Sequence, residues 1–407
     1  MVMVKSIGFE MHRRAGESIA QSYLTNSKRP ESLIKGIYPT HIARGHGCYL
    51  WDHRGKKYLD FICGLGTNLL GYSNERLCAA VRDWLPNGWS HSLATHLEIE
   101  TAEKLKELFP FVDCVKFLKG GGQACDAAIR IARAATGRSL VLSDGYHGHG
   151  DDFVSLTPPA LGIPSQASYP RAIRRLELDL IDNTVAAVIL EPVITDYSRE
   201  RVEYLKKLRE LCTKHGALLI FDEVITGFRF PKFSVAGYFG ITPDMIVLAK
   251  ALAGGLPLAV VGGKYAVMNG AEYFISLTYG GETLSLAAAK ATMHQLQAKY
   301  DLQWLWDRGK TFIEHFNAVA PDVVRIDGYP TRGVLAGEGK PLFMQEACKA
   351  GMLFGPSWFY NFPLVDAAKD AMGAIEAIIM RIKNGEVALE GELPSSPFAE
   401  RVRRGQN

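Results

Sequence analysis

The sequence predicts an α/β fold: a mostly parallel central sheet flanked by helices, with a small α+β domain built from both chain ends. Three observations carry this reading. Short apolar runs occur at Cys114–Leu118, Leu140–Leu142, Ala186–Leu190, Ala217–Phe221, Met245–Leu248 and Leu258–Val261, and they are continuous rather than alternating. Such runs suit strands covered on both faces. Amphipathic stretches lie among them at Gln123–Ala135, Arg201–His215 and Thr283–Gln297, so strands and helices alternate. The two ends follow a different pattern.

At the N-terminal end, Cys48–Asp52 and Lys57–Phe61 flank the turn His53-Arg54-Gly55-Lys56 and predict an antiparallel hairpin. Beyond residue 300 the pattern predicts a helix at Trp304–Ala318, further strands, and a helix near Val365–Lys383. The tail from Glu392, with Arg401, Arg403 and Arg404, reads as surface-laid. The expected division is an N-terminal segment 1–70 joining the small domain, a large domain 71–298, and a C-terminal small-domain part 299–407.

Composition excludes several classes. The 407 residues are 47% hydrophobic and 22% charged, enough for one or two cores. A net charge of +3 without a dense basic block gives no reason to expect nucleic acid or an anionic membrane. No apolar run approaches the roughly 18 residues of a membrane span, and no signal-peptide pattern is present. Seven scattered cysteines without a CxxC fit reduced thiols in a cytoplasmic enzyme.

Five segments carry chemistry. Lys119-Gly120-Gly121-Gly122-Gln123-Ala124 joins a strand to a helix, and its glycines and free helix N–H groups suit a phosphate. Tyr146-His147-Gly148-His149 follows a strand and offers an aromatic face. It falls short of an HxHxDH metal pattern because Asp152 ends it, and no metal is assigned. Glu191 and Asp222 each stand just past a buried strand. Lys250 ends another strand in an almost uncharged neighbourhood, where desolvation lowers an amine pKa as a Schiff-base lysine requires. Pyridoxal phosphate (PLP) needs such a lysine, a carboxylate for its pyridinium nitrogen, a stacking ring and a phosphate cradle. Lys250, Asp222, Tyr146 and Gly121–Gln123 supply them.

With these residues in hand, the chain resembles the class III aminotransferases of the fold-type I PLP enzymes over roughly residues 20–385. It is most similar to the branch containing glutamate-1-semialdehyde 2,1-aminomutase. Leu218–Gly227 resembles the family's aspartate motif and Asp244 to Pro257 its lysine motif, with Asp222 and Lys250 at the family spacing. The resemblance implies that Lys250 forms the Schiff base and moves the proton, and that Asp222 holds the pyridinium. Tyr146 and Val224 would cover the two ring faces, with His147 beside them. Gly121, Gly122 and Gln123 would bind phosphate and Glu191 would support the site. Thr278 would reach the phosphate of a neighbouring subunit, implying a homodimer with shared sites.

The pattern also departs from the family. Asn-Ser-Gly-Thr-Glu-Ala becomes Lys119-Gly120-Gly121-Gly122-Gln123-Ala124, which leaves phosphate to backbone N–H groups with Lys119 nearby. The usual Gly-Asn-Pro becomes Gly281-Glu282-Thr283. Ser32 aligns with the arginine that grips the aminomutase substrate's carboxylate, and the loop after His149 is short, which argues for a different substrate. The leading expectation is an aminotransferase acting on a small-molecule amino donor and a carbonyl acceptor such as a keto-sugar or nucleotide-linked metabolite. An aminomutase, a decarboxylase and a non-catalytic descendant remain as alternatives. Ser32, Trp89, His91 and Tyr360 are the candidate substrate residues, with Tyr38 and Trp358 as further aromatic lining.

Overall fold

Side chains on a strand alternate between faces, and in the central strands of this protein both faces are apolar. The computed structural model describes residues 7–157, 160, 162–164 and 172–394. The expected tail arginines and part of the loop after His149 lie outside them. The chain divides into two units, residues 75–304 and residues 1–74 with 305–407.

The unit containing both termini opens with β1 (Ile42–His46), β2 (Tyr49–Asp52) and β3 (Lys57–Asp60), paired antiparallel in order. The expected hairpin is β2–β3; β1 is an added strand that the sequence reading missed.

The other unit holds a seven-stranded sheet. Its strands are β4 (Cys114–Leu118), β5 (Leu140–Asp144), β6 (Ile173–Arg175), β7 (Val185–Leu190), β8 (Leu218–Asp222), β9 (Met245–Leu248) and β10 (Ala259–Gly263). The order is β4-β10-β9-β8-β7-β5-β6. The strands from β9 through β6 pair parallel, and only β10 opposes its neighbours. All six residues of β7 are buried. Ala187 and Ile189 join Ile220, Val247 and Val261 in one core, with helix Gly121–Thr136. Val188 and Leu190 join Leu219 and Phe221 in the other, with helix Arg199–His215. That two-sided burial is the physical content of the continuous apolar runs.

The terminal unit is completed by β11 (Arg325–Tyr329), β12 (Arg332–Ala336), β13 (Met352–Leu353) and β14 (Ser357–Phe359). β13 pairs parallel with β3, and β11-β12-β14 form a second sheet. Helices Lys340–Lys349 and Leu364–Lys383 pack on each other and on β13 and β3, and the unit's core holds Phe61, Phe312, Phe343, Phe354 and Trp358. No helix among the described residues is long and apolar enough to cross a membrane.

Candidate active site

Strands β5, β7, β8 and β9 run parallel, so their carboxyl ends share one edge of the sheet. β4 runs the same way, being antiparallel to the one strand that opposes them. The segments singled out in the sequence all leave from this edge, where open α/β sheets place ligands.

Strand parity decides which acid of Asp222-Glu223 faces the site. Ile220 points into the core beside helix Gly121–Thr136, and Asp222, two residues on, follows it. Phe221 points to the other face, and Glu223 follows. There the Glu223 carboxylate accepts from the Val235 and Ala236 N–H groups at 2.8 and 3.0 Å and from the Thr226 hydroxyl at 2.8 Å. It thus closes the N-terminus of the short helix Val235–Phe239.

Burial pushes the Glu223 pKa up from 4.5 to about 7. Because the folded value lies above the unfolded one, this contribution is complete below pH 4.5 and is lost as the pH rises towards 7. The whole effect is roughly 3 kcal/mol at most. Between pH 5 and 7.5 the wild-type melting temperature should therefore fall more than that of Glu223→Gln; parallel slopes would refute the assignment.

Asp222 is 3% exposed and carries three hydrogen bonds. Its Oδ1 accepts from the Val224 N–H at 3.0 Å. Its Oδ2 accepts from His147 Nδ1 at 2.7 Å and from the Cys125 thiol at 3.3 Å. His147 Nε2 lies 3.1 Å from the Asp144 carbonyl, which can only accept, so this nitrogen carries a proton. Burial alone would lower the His147 pKa, but the Asp222 hydrogen bond and charge outweigh it and hold the imidazole above its ordinary value. The result is a buried His147–Asp222 pair that favours the protonated imidazole. Cys125, His147 and Asp222 also form a cluster of potential metal ligands. However, 2.7 Å between nitrogen and oxygen is a hydrogen bond, too close for two ligands arranged tetrahedrally around zinc at about 2.0–2.1 Å.

The glycines shape the next part of the site. Gly121 and Gly122 open helix Gly121–Thr136, whose first N–H groups lack intrahelical partners. A Cβ on Gly121 would meet both Val224 methyls at 2.9 Å. A Cβ on Gly148, where φ is +101°, would lie 2.4 Å from the Gly122 Cα. Gly148→Ala combines this clash with an unfavourable backbone conformation. It should weaken coenzyme binding by at least about tenfold and lower the melting temperature, checked by reconstitution and thermal melting; unchanged affinity would refute the close approach. The Gln123 side chain accepts from the Gly120 N–H at 3.2 Å and so stiffens the loop.

Lys119 is already engaged. Its ammonium lies 3.0 Å from Glu282, which also accepts from the Leu284 and Ser285 N–H groups at the start of helix Thr283–Ala298. Two departures from the family pattern are thus the two halves of one ion pair.

The Tyr146 ring is 71% exposed, leaving a face to stack on, and its N–H donates to Glu191 at 2.9 Å. Burial and the Asp222 charge push the Glu191 carboxyl above its usual range, while the nearby Lys250 charge works the other way. Lys250 has φ +44°, in the left-handed region. It is held there by the four-residue turn Lys250–Ala253, which ends at Gly254.

The structure therefore gathers Gly121, Gly122, Tyr146, His147, Glu191, Asp222, Val224 and Lys250 at one sheet edge, with exposed Gln123 bracing the loop. Thr278 and His91 line a separate exposed cleft of about 240 Å³ with Glu98 and Gly281. Trp89 lies nearby in sequence, half exposed, with its carbonyl accepting from the Thr283 N–H. Ser32 lines a cleft of about 380 Å³ in the terminal unit. Tyr360 is 2% exposed and packs against Phe312 and Trp358 in that unit's core; Tyr38 and Trp358 are buried there too. Cys125, one of the seven cysteines to which the sequence assigned no individual role, is a contact of Asp222 that was missed. It lies one helical turn after Gly121, and that spacing was the available signal.

These residues fit pyridoxal phosphate: a glycine-lined helix start for the phosphate, an anionic carboxylate for the pyridinium, an open aromatic face and a lysine. Comparison with known proteins agrees. The family described as Aminotransferase class-III matches residues 35–166 and 164–339. A glutamate-1-semialdehyde 2,1-aminomutase of Syntrophobacter fumaroxidans is 36% identical over 296 residues, 67% of this chain and 68% of that protein. One from Leptothrix cholodnii is 33% identical over 344 residues, 77% and 78% of the two chains. Among solved structures, an omega-transaminase from Sphaerobacter thermophilus superposes with a TM-score of 0.82 at 22% identity, covering 94% of this chain and 99% of that one. At that identity it speaks for the fold alone. From sequence match and fold together, the chain belongs to the class III aminotransferases and is a PLP-dependent enzyme.

Proposed function

We propose that this enzyme is an aminotransferase that takes an amino group from a small-molecule donor and passes it to a carbonyl acceptor. The observation that carries the reading is the buried His147–Asp222 pair at the same sheet edge as Lys250. The coenzyme supplies an aldehyde that condenses with amines and a protonated ring that takes up the electrons released at the substrate Cα. The chain's residues do the rest. Asp222, hydrogen-bonded to His147, would face the ring nitrogen and favour its protonated form. Lys250 would hold the coenzyme through its amine, and the same amine would move the proton between the substrate Cα and the coenzyme. Gly121 and Gly122 would bind the phosphate through their N–H groups, Tyr146 and Val224 would cover the ring faces, and Glu191 accepts from the Tyr146 N–H and so supports it.

The small α+β unit and the large unit would act as the two domains of the enzyme. We infer a homodimer in which Thr278 reaches the partner's phosphate. Its exposure, in a cleft also lined by exposed Leu93, supports this. The mass in solution should be about twice 44.8 kDa, and a monomer at assay concentration would count against shared sites. Seven cysteines outside any disulfide suit a cytoplasmic enzyme.

The test is the visible spectrum of the holoenzyme before and after glutamate, without an acceptor. Conversion to the pyridoxamine form supports transamination. An unchanged band opens the donor or reaction type, and no band even with added PLP sinks the assignment. A second reading, an aminomutase, is favoured by the names of the relatives above. Against glutamate-1-semialdehyde itself stands Ser32, whose cleft is lined by Asn26, Ser27, Ser357 and Phe359 with no charged residue among the described ones. That lining suits a neutral reacting group, as in a keto-sugar or the sugar part of a nucleotide-linked metabolite. Turnover that needs no external amino donor would decide for the mutase.

A further inference from the structure

We propose that Cys125 is a positioning residue for the coenzyme, its thiol donating the hydrogen bond that fixes Asp222 Oδ2 opposite the coenzyme ring. The proposal rests on the reading of Asp222 as the partner of the ring nitrogen. The Cys125 Sγ is 3.3 Å from Oδ2, and a carboxylate has no proton to give, so the thiol donates. Both groups are buried, Cys125 at 0% and Asp222 at 3% exposure. The surroundings keep the sulfur protonated: burial first, then the Asp222 charge, push the thiol pKa well above its ordinary value. Such a thiol is inert as a nucleophile and available only as a donor.

The placement follows from the helix. Cys125 lies four residues after Gly121 in helix Gly121–Thr136, on the same face, and that face packs against Val224 and the end of β8. One helix thus addresses two ends of the coenzyme, the phosphate through its first N–H groups and the ring nitrogen through Cys125 and Asp222. Val224 N–H fixes Oδ1, while His147 and Cys125 fix Oδ2 from two directions. With the thiol gone, Oδ2 keeps one donor and the carboxylate can rotate about its Cβ–Cγ bond. A packing role alone would be met by valine, which fills a comparable volume and donates nothing.

Two measurements on Cys125→Val and Cys125→Ser decide the matter. The first is the infrared S–H stretch of the coenzyme-free protein, taken as wild type minus Cys125→Val. A thiol bound to a carboxylate absorbs at lowered frequency; a band at the free-thiol position overturns the proposal. The second is the coenzyme dissociation constant, from equilibrium reconstitution followed by absorbance. Cys125→Val should bind about fivefold more weakly, the scale of one ordinary hydrogen bond as suits a weak thiol donor, and Cys125→Ser should recover most of the loss. Wild-type affinity in Cys125→Val overturns the proposal, as does equal loss in both variants. If wild type fails to bind PLP at all, the functional reading fails, and the infrared band still decides whether the thiol holds Asp222.

Discussion

Lys250→Ala should abolish turnover, by about ten-thousand-fold or more, and remove the visible band that marks covalently held coenzyme. The effect is large because one amine performs two tasks, holding the coenzyme and moving the substrate proton, and no other lysine stands at the carboxyl ends of β5, β7, β8 and β9 among the described residues. Alanine keeps a Cβ, so the strained φ of +44° persists and the fold carries the same backbone cost. The melting temperature of the coenzyme-free variant should therefore move by no more than about 1 kcal/mol equivalent. Small primary amines added to the assay should restore part of the rate by taking over the proton transfer. Residual activity near wild type would remove Lys250 from the mechanism; a collapsed melting temperature would mean that the loss reports folding.

Much of the sheet was legible because burial on both faces leaves a plain mark: β4 and β9 match the predicted runs residue for residue. The direction of β10 was not. A strand covered on both faces reads the same either way, and only the link 249–258 held the signal. It is shorter than the roughly dozen residues that a parallel crossover needs, so β10 turns back antiparallel. β6 escaped because it has three residues, two of them exposed arginines, and β1 because four of its five are exposed. In the site, motif order pointed to Asp222 and Lys250. Strand parity could also have separated Asp222 from Glu223, since they leave β8 on opposite faces. The His147–Asp222 pair and the Cys125 thiol needed three dimensions, for their partners lie 75 and 97 positions apart in the chain.

The second large effect concerns charge. Asp222→Asn keeps the shape of the side chain and removes its negative charge, so two consequences should follow together. The coenzyme ring nitrogen loses the anion that keeps it protonated, and the rate should fall about a hundred- to a thousandfold. His147 loses the partner that holds its pKa up, while its burial stays as it was. Burial opposes a charged imidazole, so the His147 pKa should drop below its ordinary value and the ring should be neutral at pH 7. Titration of the His147 ring by nuclear magnetic resonance in the coenzyme-free protein reads this directly. The wild-type ring should stay charged beyond pH 6.5, and the Asp222→Asn ring should lose its proton below it. Asp222→Glu separates charge from geometry: it should keep His147 charged and lose rate only through misplacement of the carboxylate. If Asp222→Asn leaves the His147 titration unchanged, the imidazolium is held by something other than Asp222. The coupling between the buried pair and the ring nitrogen would then fall, even if the rate loss were as large as expected.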